Sequence, residues 1–154
     1  MLNFVPEPEQ AVAEMARVVR PRGVVAVYVW DYAEGMELIR RFFDAAVEVD
    51  PAAAELDEGR RFPLCRPEPL RDLFVTTGLG DVDVLPIDVP TVFRDFDDLW
   101  QPFLGGQGPA PAYASSLDEE RREALREGLR SRLPIAPDGS IALRARAWAA
   151  IGRC

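Results

Sequence analysis

The residues best suited to chemistry are an aromatic–acid–aromatic trio, Trp30, Asp31 and Tyr32, that follows a continuous apolar run. The run predicts a strand, Val24–Trp30, that is covered on both faces of an open α/β sheet. Ligands bind such sheets at the carboxyl ends of their strands. The trio therefore has two interpretations. It lines a substrate pocket in which Asp31 orients a hydroxyl or accepts its proton, or Trp30 packs ordinarily and Asp31 is solvated or caps a helix.

The overall charge and the absence of histidine exclude several functions. The 154 residues carry 26 acidic and 18 basic side chains, all of the latter Arg, for a net charge of −8. This charge opposes binding to nucleic acid and to anionic membranes. With no His, the chain has no His-containing triad, His-liganded metal site or imidazole base. We expect small-molecule or protein partners, and neither nucleic acid nor a membrane.

Two further features concern redox state and metal binding. Cys65 and Cys154 lack metal-ligand spacing and predict free thiols in a cytoplasmic protein. The cluster of Asp95, Asp97 and Asp98 fits a helix start, where carboxylates favour the dipole, so no metal site is predicted.

Hydrophobic periodicity and turn residues predict the elements that position these groups. The insertion includes a Gly- and Pro-rich loop over 104–111 and a charged helix over 117–133. Leu85 is out of phase with Val84, which predicts a bulge in an edge strand. The predicted elements are a helix over 7–20, a strand over 24–30, helices over 36–50 and 51–56, a loop over 58–63, a helix over 67–78, an edge strand over 81–89, a mostly helical insertion over 91–138 and a final strand over 140–151.

Three segments carry a family resemblance in the expected order. Residues 2–31, and above all 11–23 with the letters AVAEMARVVRPRG, resemble the helix that leads into the fifth sheet strand of class I S-adenosylmethionine-dependent methyltransferases. Arg22 stands where that family usually has Gly. Residues 99–117 and 133–152 are also similar to its small-molecule branch, which is related to ubiquinone and menaquinone biosynthesis.

The resemblance implies S-adenosylmethionine as the family cofactor, but not its binding by this chain alone. The family's Gly-rich turn and ribose-binding acid would both lie upstream of these residues. The segment Gly105-Gly106-Gln107-Gly108 follows a predicted helix rather than a strand, which favours a loop or lid. By resemblance, Asn3 and Phe4 border the cofactor. Alternatively, they form a frayed terminus in which Phe4 packs on the first helix.

The resemblance also implies that the insertion covers a methyl acceptor. Trp100, Phe103, Gln107 and Tyr113 would then shape an apolar, aromatic acceptor pocket. The alternative is a small satellite core beneath the Gly-rich loop.

The predicted fold is a partial doubly wound, Rossmann-like α/β sheet in one domain, 1–154. It has about three strands, flanking helices and the insertion 91–138 as a lid, and by resemblance the last strand lies antiparallel between the other two.

Two functions follow. The chain is the acceptor-side part of a methyltransferase, inactive alone, or it is a non-catalytic interaction module. In the second case the open edge of Val24–Trp30 pairs with another copy or with a separate N-terminal half.

Overall fold

The computed structural model describes residues 2–154 and confirms an α/β fold with a three-stranded sheet. Short 3-10 turns at Leu2–Phe4, Pro51–Leu56, Pro63–Cys65 and Gln101–Leu104 join the longer elements. In chain order the helices and strands are α1 Pro8–Val18, β1 Val24–Trp30, α2 Glu37–Val49, α3 Glu58–Arg61, α4 Pro67–Thr76, β2 Gly80–Phe93, α5 Phe96–Trp100, α6 Pro109–Ser116, α7 Glu119–Arg130 and β3 Ile141–Arg153.

The sheet has the order β1-β3-β2, and β3 runs antiparallel to both neighbours. Val27 lies opposite Ala150, which in turn lies opposite Val84. β1 and β2 are therefore parallel to each other, and the last strand separates them. This is the arrangement that the resemblance implied.

Two hydrophobic clusters lie on opposite faces of this sheet. On the first face, α1 and α4 cover one end with Val12, Leu70 and Phe74, all fully buried against β1 and Ala150. On the second face, α2 and α5–α7 cover the other end against Ile141 and Leu143. The helices thus flank the sheet on both sides, as a doubly wound arrangement requires, but they are offset along it.

The offset corrects the prediction that β1 is covered on both faces. Val25 and Val29 are buried, but on the other face Val24 is 47% and Tyr28 59% exposed. No helix among residues 2–154 packs over this part of the second face, and it continues onto β2 and β3. Its other exposed apolar residues are Leu85, Ile87, Val89 and Ile151.

This open face also explains why the predicted bulge at Val84–Leu85 is wrong. Val84 belongs to the covered face and Leu85 to the open one, so simple alternation puts apolar residues on both sides. The register shift lies instead between Gly80 and Asp83, where Asp81 has φ +47°.

Three element boundaries also differ from the prediction. β2 runs on to Phe93, so the insertion begins after that residue rather than at 91. α3 occupies residues predicted as loop, because Asp57 caps it by accepting a hydrogen bond from Gly59 N at 2.8 Å. α6 begins at Pro109, within the predicted loop, because proline fits the first turn of a helix.

The larger cluster depends on Phe42, which is 0% exposed and stacks on Phe103 with ring centroids 4.5 Å apart. We expect Phe42→Ala to lower the free energy of unfolding by about 3–5 kcal/mol, because it leaves a cavity in this cluster. The matched control Val92→Ala, at a residue 69% exposed, should change it by less than about 0.5 kcal/mol. Urea denaturation followed by circular dichroism measures both, and equal losses would contradict the assigned core.

Candidate functional site

The acid of the trio, Asp31, is 3% exposed at the carboxyl end of β1. Its Oδ1 accepts a hydrogen bond from Glu34 N at 2.9 Å, and its backbone N donates to Arg146 O at 2.9 Å. The side chain therefore closes the turn after β1 and does not cap α2, which begins at Glu37. Its proposed contact with a substrate stays a prediction.

Gly35 holds this turn close to β3. A Cβ at Gly35 would lie 2.3 Å from Arg146 Cβ and 2.6 Å from Asp31 Oδ2, so no larger residue fits. Arg146 N also donates to Gly35 O at 3.0 Å. The loop after β1 is thus held in place by the central strand.

A cleft of about 200 Å³ opens beside Asp31 on the face covered by α4. Trp148 from β3 forms one wall, and its buried Nε1 has no hydrogen-bond partner among residues 2–154. The Arg146 guanidinium lies 5.3 Å from the Trp148 ring centroid and makes hydrogen bonds of 2.7 and 3.3 Å to Asp88. The cleft is lined by Asp31, Ala33, Glu34, Arg66, Pro67, Glu68 and Trp148.

Tyr32 points into a second environment, around Phe62. Its ring centroid is 6.3 Å from that of Phe62, which also meets Phe4 edge-to-face at 5.0 Å. Burial raises the pKa of Tyr32 to about 12, with further contributions from Glu58 and Cys65. Burial likewise raises the pKa of Cys65 to about 11 and that of Glu58 above its ordinary value. At neutral pH, Cys65 is therefore a thiol rather than a nucleophilic thiolate.

Asn3 and Phe4 lie close to this group. Asn3 is 8% exposed, and neither its Nδ2 nor its Oδ1 has a hydrogen-bond partner among residues 2–154. Phe4 is 54% exposed and its ring packs against Phe62. The structure therefore brings Phe4 and Tyr32 together through Phe62, a residue that sequence reasoning missed. Cofactor contact by Asn3 and Phe4 stays a prediction.

Three of the four residues of the predicted acceptor pocket, the aromatic ones, lie in the other cluster. Trp100, Phe103 and Tyr113 are buried, with ring centroids 5.7 Å apart for Trp100–Phe103, and Gln107 is exposed. Tyr113 packs edge-to-face on Phe42 at 6.4 Å. These rings are core residues of the described fold and do not line the cleft beside Asp31, so their acceptor role stays a prediction. The aromatic–acid–aromatic trio of Trp30, Asp31 and Tyr32 does not belong to this cluster.

A larger cleft of about 620 Å³ adjoins the first and shares Ala33 and Arg66 with it. Asp57, buried at its rim, accepts a hydrogen bond from Arg40 Nη1 at 2.9 Å and a second from Nη2. Arg132 pairs with Glu48. The cleft is lined by Ala33, Arg40, Phe43, Asp44, Val47, Glu48, Asp57, Gly59, Arg60, Arg66 and Arg132.

Residues 2–154 lack two kinds of feature. No group of three or more Cys, Asp or Glu side chains is arranged to hold a metal ion. No helix in this part of the chain is both long enough and apolar enough to cross a lipid bilayer.

Comparisons with known proteins give similarities in structure but none in sequence. No protein-family model matches the sequence, and no curated protein matches it. A putative methyltransferase from Bacillus halodurans is similar in structure, with a TM-score of 0.47 and 12% sequence identity. The similarity covers 99% of this chain and 60% of that one, so this chain spans less than two thirds of its length. A similarity of this degree carries no functional conclusion.

The raised pKa values of Cys65 and Tyr32 predict alkaline destabilisation. Both groups are held neutral in the folded state. Their contribution to the free energy of unfolding is therefore complete below their ordinary pKa values and is lost as pH rises through the raised pKa values. For Cys65 the loss falls between pH 9.0 and about 11. We expect Cys65→Ala to reduce the slope of unfolding free energy against pH in this window. Urea denaturation at several pH values measures that slope.

The matched control is Cys154→Ala, which removes an exposed thiol and should leave the slope unchanged. The same slope in the Cys65→Ala protein would show that Cys65 is not shielded as the structure describes.

Proposed function

We propose that this chain is the acceptor-side part of an S-adenosylmethionine-dependent methyltransferase that acts on a small molecule. The observation that carries the proposal is the strand order β1-β3-β2 with β3 antiparallel between two parallel strands. The sequence resemblance implied this arrangement for the fifth and last strands of that family. Cys65 and Cys154 form no disulfide, which fits action in the cytoplasm, and this location is part of the proposal.

The geometry supports a role in binding rather than in the chemical step. Methyl transfer depends mostly on holding two reactants in the correct orientation. The cleft beside Asp31 and Trp148 offers an acidic acceptor and an aromatic wall at the carboxyl end of β1. Within residues 2–154, however, no Gly-rich turn follows a strand, since the Gly105–Gly108 segment comes after a 3-10 helix. The chain therefore supplies an acceptor wall without a cofactor cradle.

We expect the 154-residue chain to bind S-adenosylmethionine weakly or not at all, because a Gly-rich turn that would hold the methionine part is missing from it. Isothermal titration calorimetry with S-adenosylmethionine and S-adenosylhomocysteine measures this. Micromolar binding would contradict the expectation, and loss of that binding in Asn3→Ala or Phe4→Ala would then locate the cofactor.

The methyltransferase proposal itself is tested by the gene. We expect the reading frame upstream of Met1, or a neighbouring gene, to encode strands with a Gly-rich turn. Adding that segment, in cis or as a separate chain, should produce micromolar binding of S-adenosylmethionine. An upstream region without such strands, together with no gain of binding, would contradict the proposal.

A second candidate function is a non-catalytic interaction module. The observation that favours it is the exposed apolar surface of the open face, where Val24, Tyr28 and Leu85 are 47%, 59% and 54% exposed. Contiguous apolar surface of this kind marks interaction sites in soluble proteins.

A further inference from the structure

The two edges of the sheet differ in their capacity to pair with another strand. Asp31 N donates to Arg146 O, and Cys154 N donates to Gly23 O at 3.0 Å, so the odd-numbered residues of β1 bond to β3. In an antiparallel ladder the alternate residues direct their N–H and C=O groups the other way. Val24, Ala26, Tyr28 and Trp30 therefore present their backbone groups at the open edge.

The edge of β2 is protected by proline. Because even-numbered residues of β3 bond to β1, its odd-numbered residues bond to β2, and the even-numbered residues of β2 point outward. Two of these outward positions are Pro86 and Pro90, which have no N–H to donate, and Asp88 lies between them. Proline and charge are the means by which proteins block edge pairing. The edge of β1 has neither within Val24–Trp30.

The surroundings of the β1 edge are apolar. A groove of about 340 Å³ runs beside Ala26, Val27 and Tyr28 and is closed by Leu2, Val5 and Met15. Met15 and Val18 are three residues apart on α1 and are 38% and 65% exposed. An incoming strand would therefore meet unpaired backbone groups, an apolar groove and an apolar helix face together.

We propose that the partner at this edge is a second copy of the chain, paired antiparallel to β1 about a two-fold axis at Val27. In this register Val24 lies opposite Trp30 of the other copy, and Ala26 opposite Tyr28. All four outward-facing residues of each copy then find partners, and each such pair exchanges two hydrogen bonds. The two sheets join into one, and the exposed side of α1 meets its own copy. The second copy occupies the edge of β1 that an N-terminal half would otherwise fill, so this inference concerns the 154-residue chain without such a partner.

The charges at the two ends of β1 favour this antiparallel arrangement. Arg20 and Arg22 are exposed just before the strand, and Glu34 is exposed just after it. The two-fold axis places the basic end of each copy beside the acidic end of the other, whereas a parallel pairing of two copies would bring like charges together. Opposite charges therefore face each other at both ends of the contact, although the chain has a net charge of −8.

The first test is the mass of the protein in solution. Sedimentation equilibrium should give twice 17.1 kDa at high micromolar concentration. A mass of 17.1 kDa up to about millimolar concentration, where even weak self-association is populated, would overturn the proposal and leave the edge to a different partner chain.

The second test compares proline at the two edges. Ala26→Pro removes an outward N–H of β1 in both copies without touching the bonds to β3. It should weaken dimerisation about 30-fold or more. The matched control Val92→Pro removes an outward N–H of β2 and should leave the dimer unchanged. Equal dissociation constants for wild type and Ala26→Pro would show that a dimer forms elsewhere, for example through the open face.

The third test needs no variant and covers the case in which Ala26→Pro does not fold. Amide hydrogen exchange of wild type, resolved by NMR, should slow with protein concentration at Ala26 and Tyr28. The outward amides of β2 at Val84 and Val92 should exchange at a rate that does not depend on concentration. Fast, concentration-independent exchange at Ala26 and Tyr28 would overturn the proposal.

Discussion

The antiparallel insertion of β3 between β1 and β2 is the constraint on which the rest of the structure depends. β3 supplies buried residues to both hydrophobic clusters, with Ala150 in the first and Ile141 and Leu143 in the second. Its small residues allow close packing, because a Cβ at Gly152 would lie 2.9 Å from Leu79 Cβ. The same strand holds the loop after β1 through Arg146 and supplies Trp148 to the cleft. Fold and candidate site therefore rest on one set of backbone pairings.

The sequence predicted the bounds of helices and strands better than it predicted which of their faces are covered by other elements. The bounds of β1 follow from its apolar run between Gly23 and Asp31, which is a local signal. Whether that run is covered on one face or two depends on helices placed by tertiary packing, and here the local pattern misled. The start of α6 is hidden in the sequence because glycine and proline ordinarily break helices, although Pro109 and Pro111 both lie in its first turn.

The candidate site is predictable only in part for the same reason. Asp31 and Tyr32 are identifiable because they end a strand, and Asn3 and Phe4 because of a family resemblance. Phe62 and Trp148 carry no local signal, since they reach the site from the end of α3 and from the far end of the chain. Around Tyr32, burial favours the uncharged forms of three acidic groups. On the side of Asp57, by contrast, the guanidinium of Arg40 donates hydrogen bonds to the buried carboxylate. The two sides of the loop after β1 thus differ in polarity.

The position of β3 in the chain has a consequence for synthesis. β1 and β2 pair only with a strand that lies after both of them in sequence, and Val24 meets Arg153 across nearly the whole chain. On the ribosome, both outer strands emerge before the strand that joins them, so neither can enter the sheet until translation of the domain is almost finished. Pro86 and Pro90 then block the outward edge of the nascent β2 alone, while its inner edge and both edges of β1 stay unpaired.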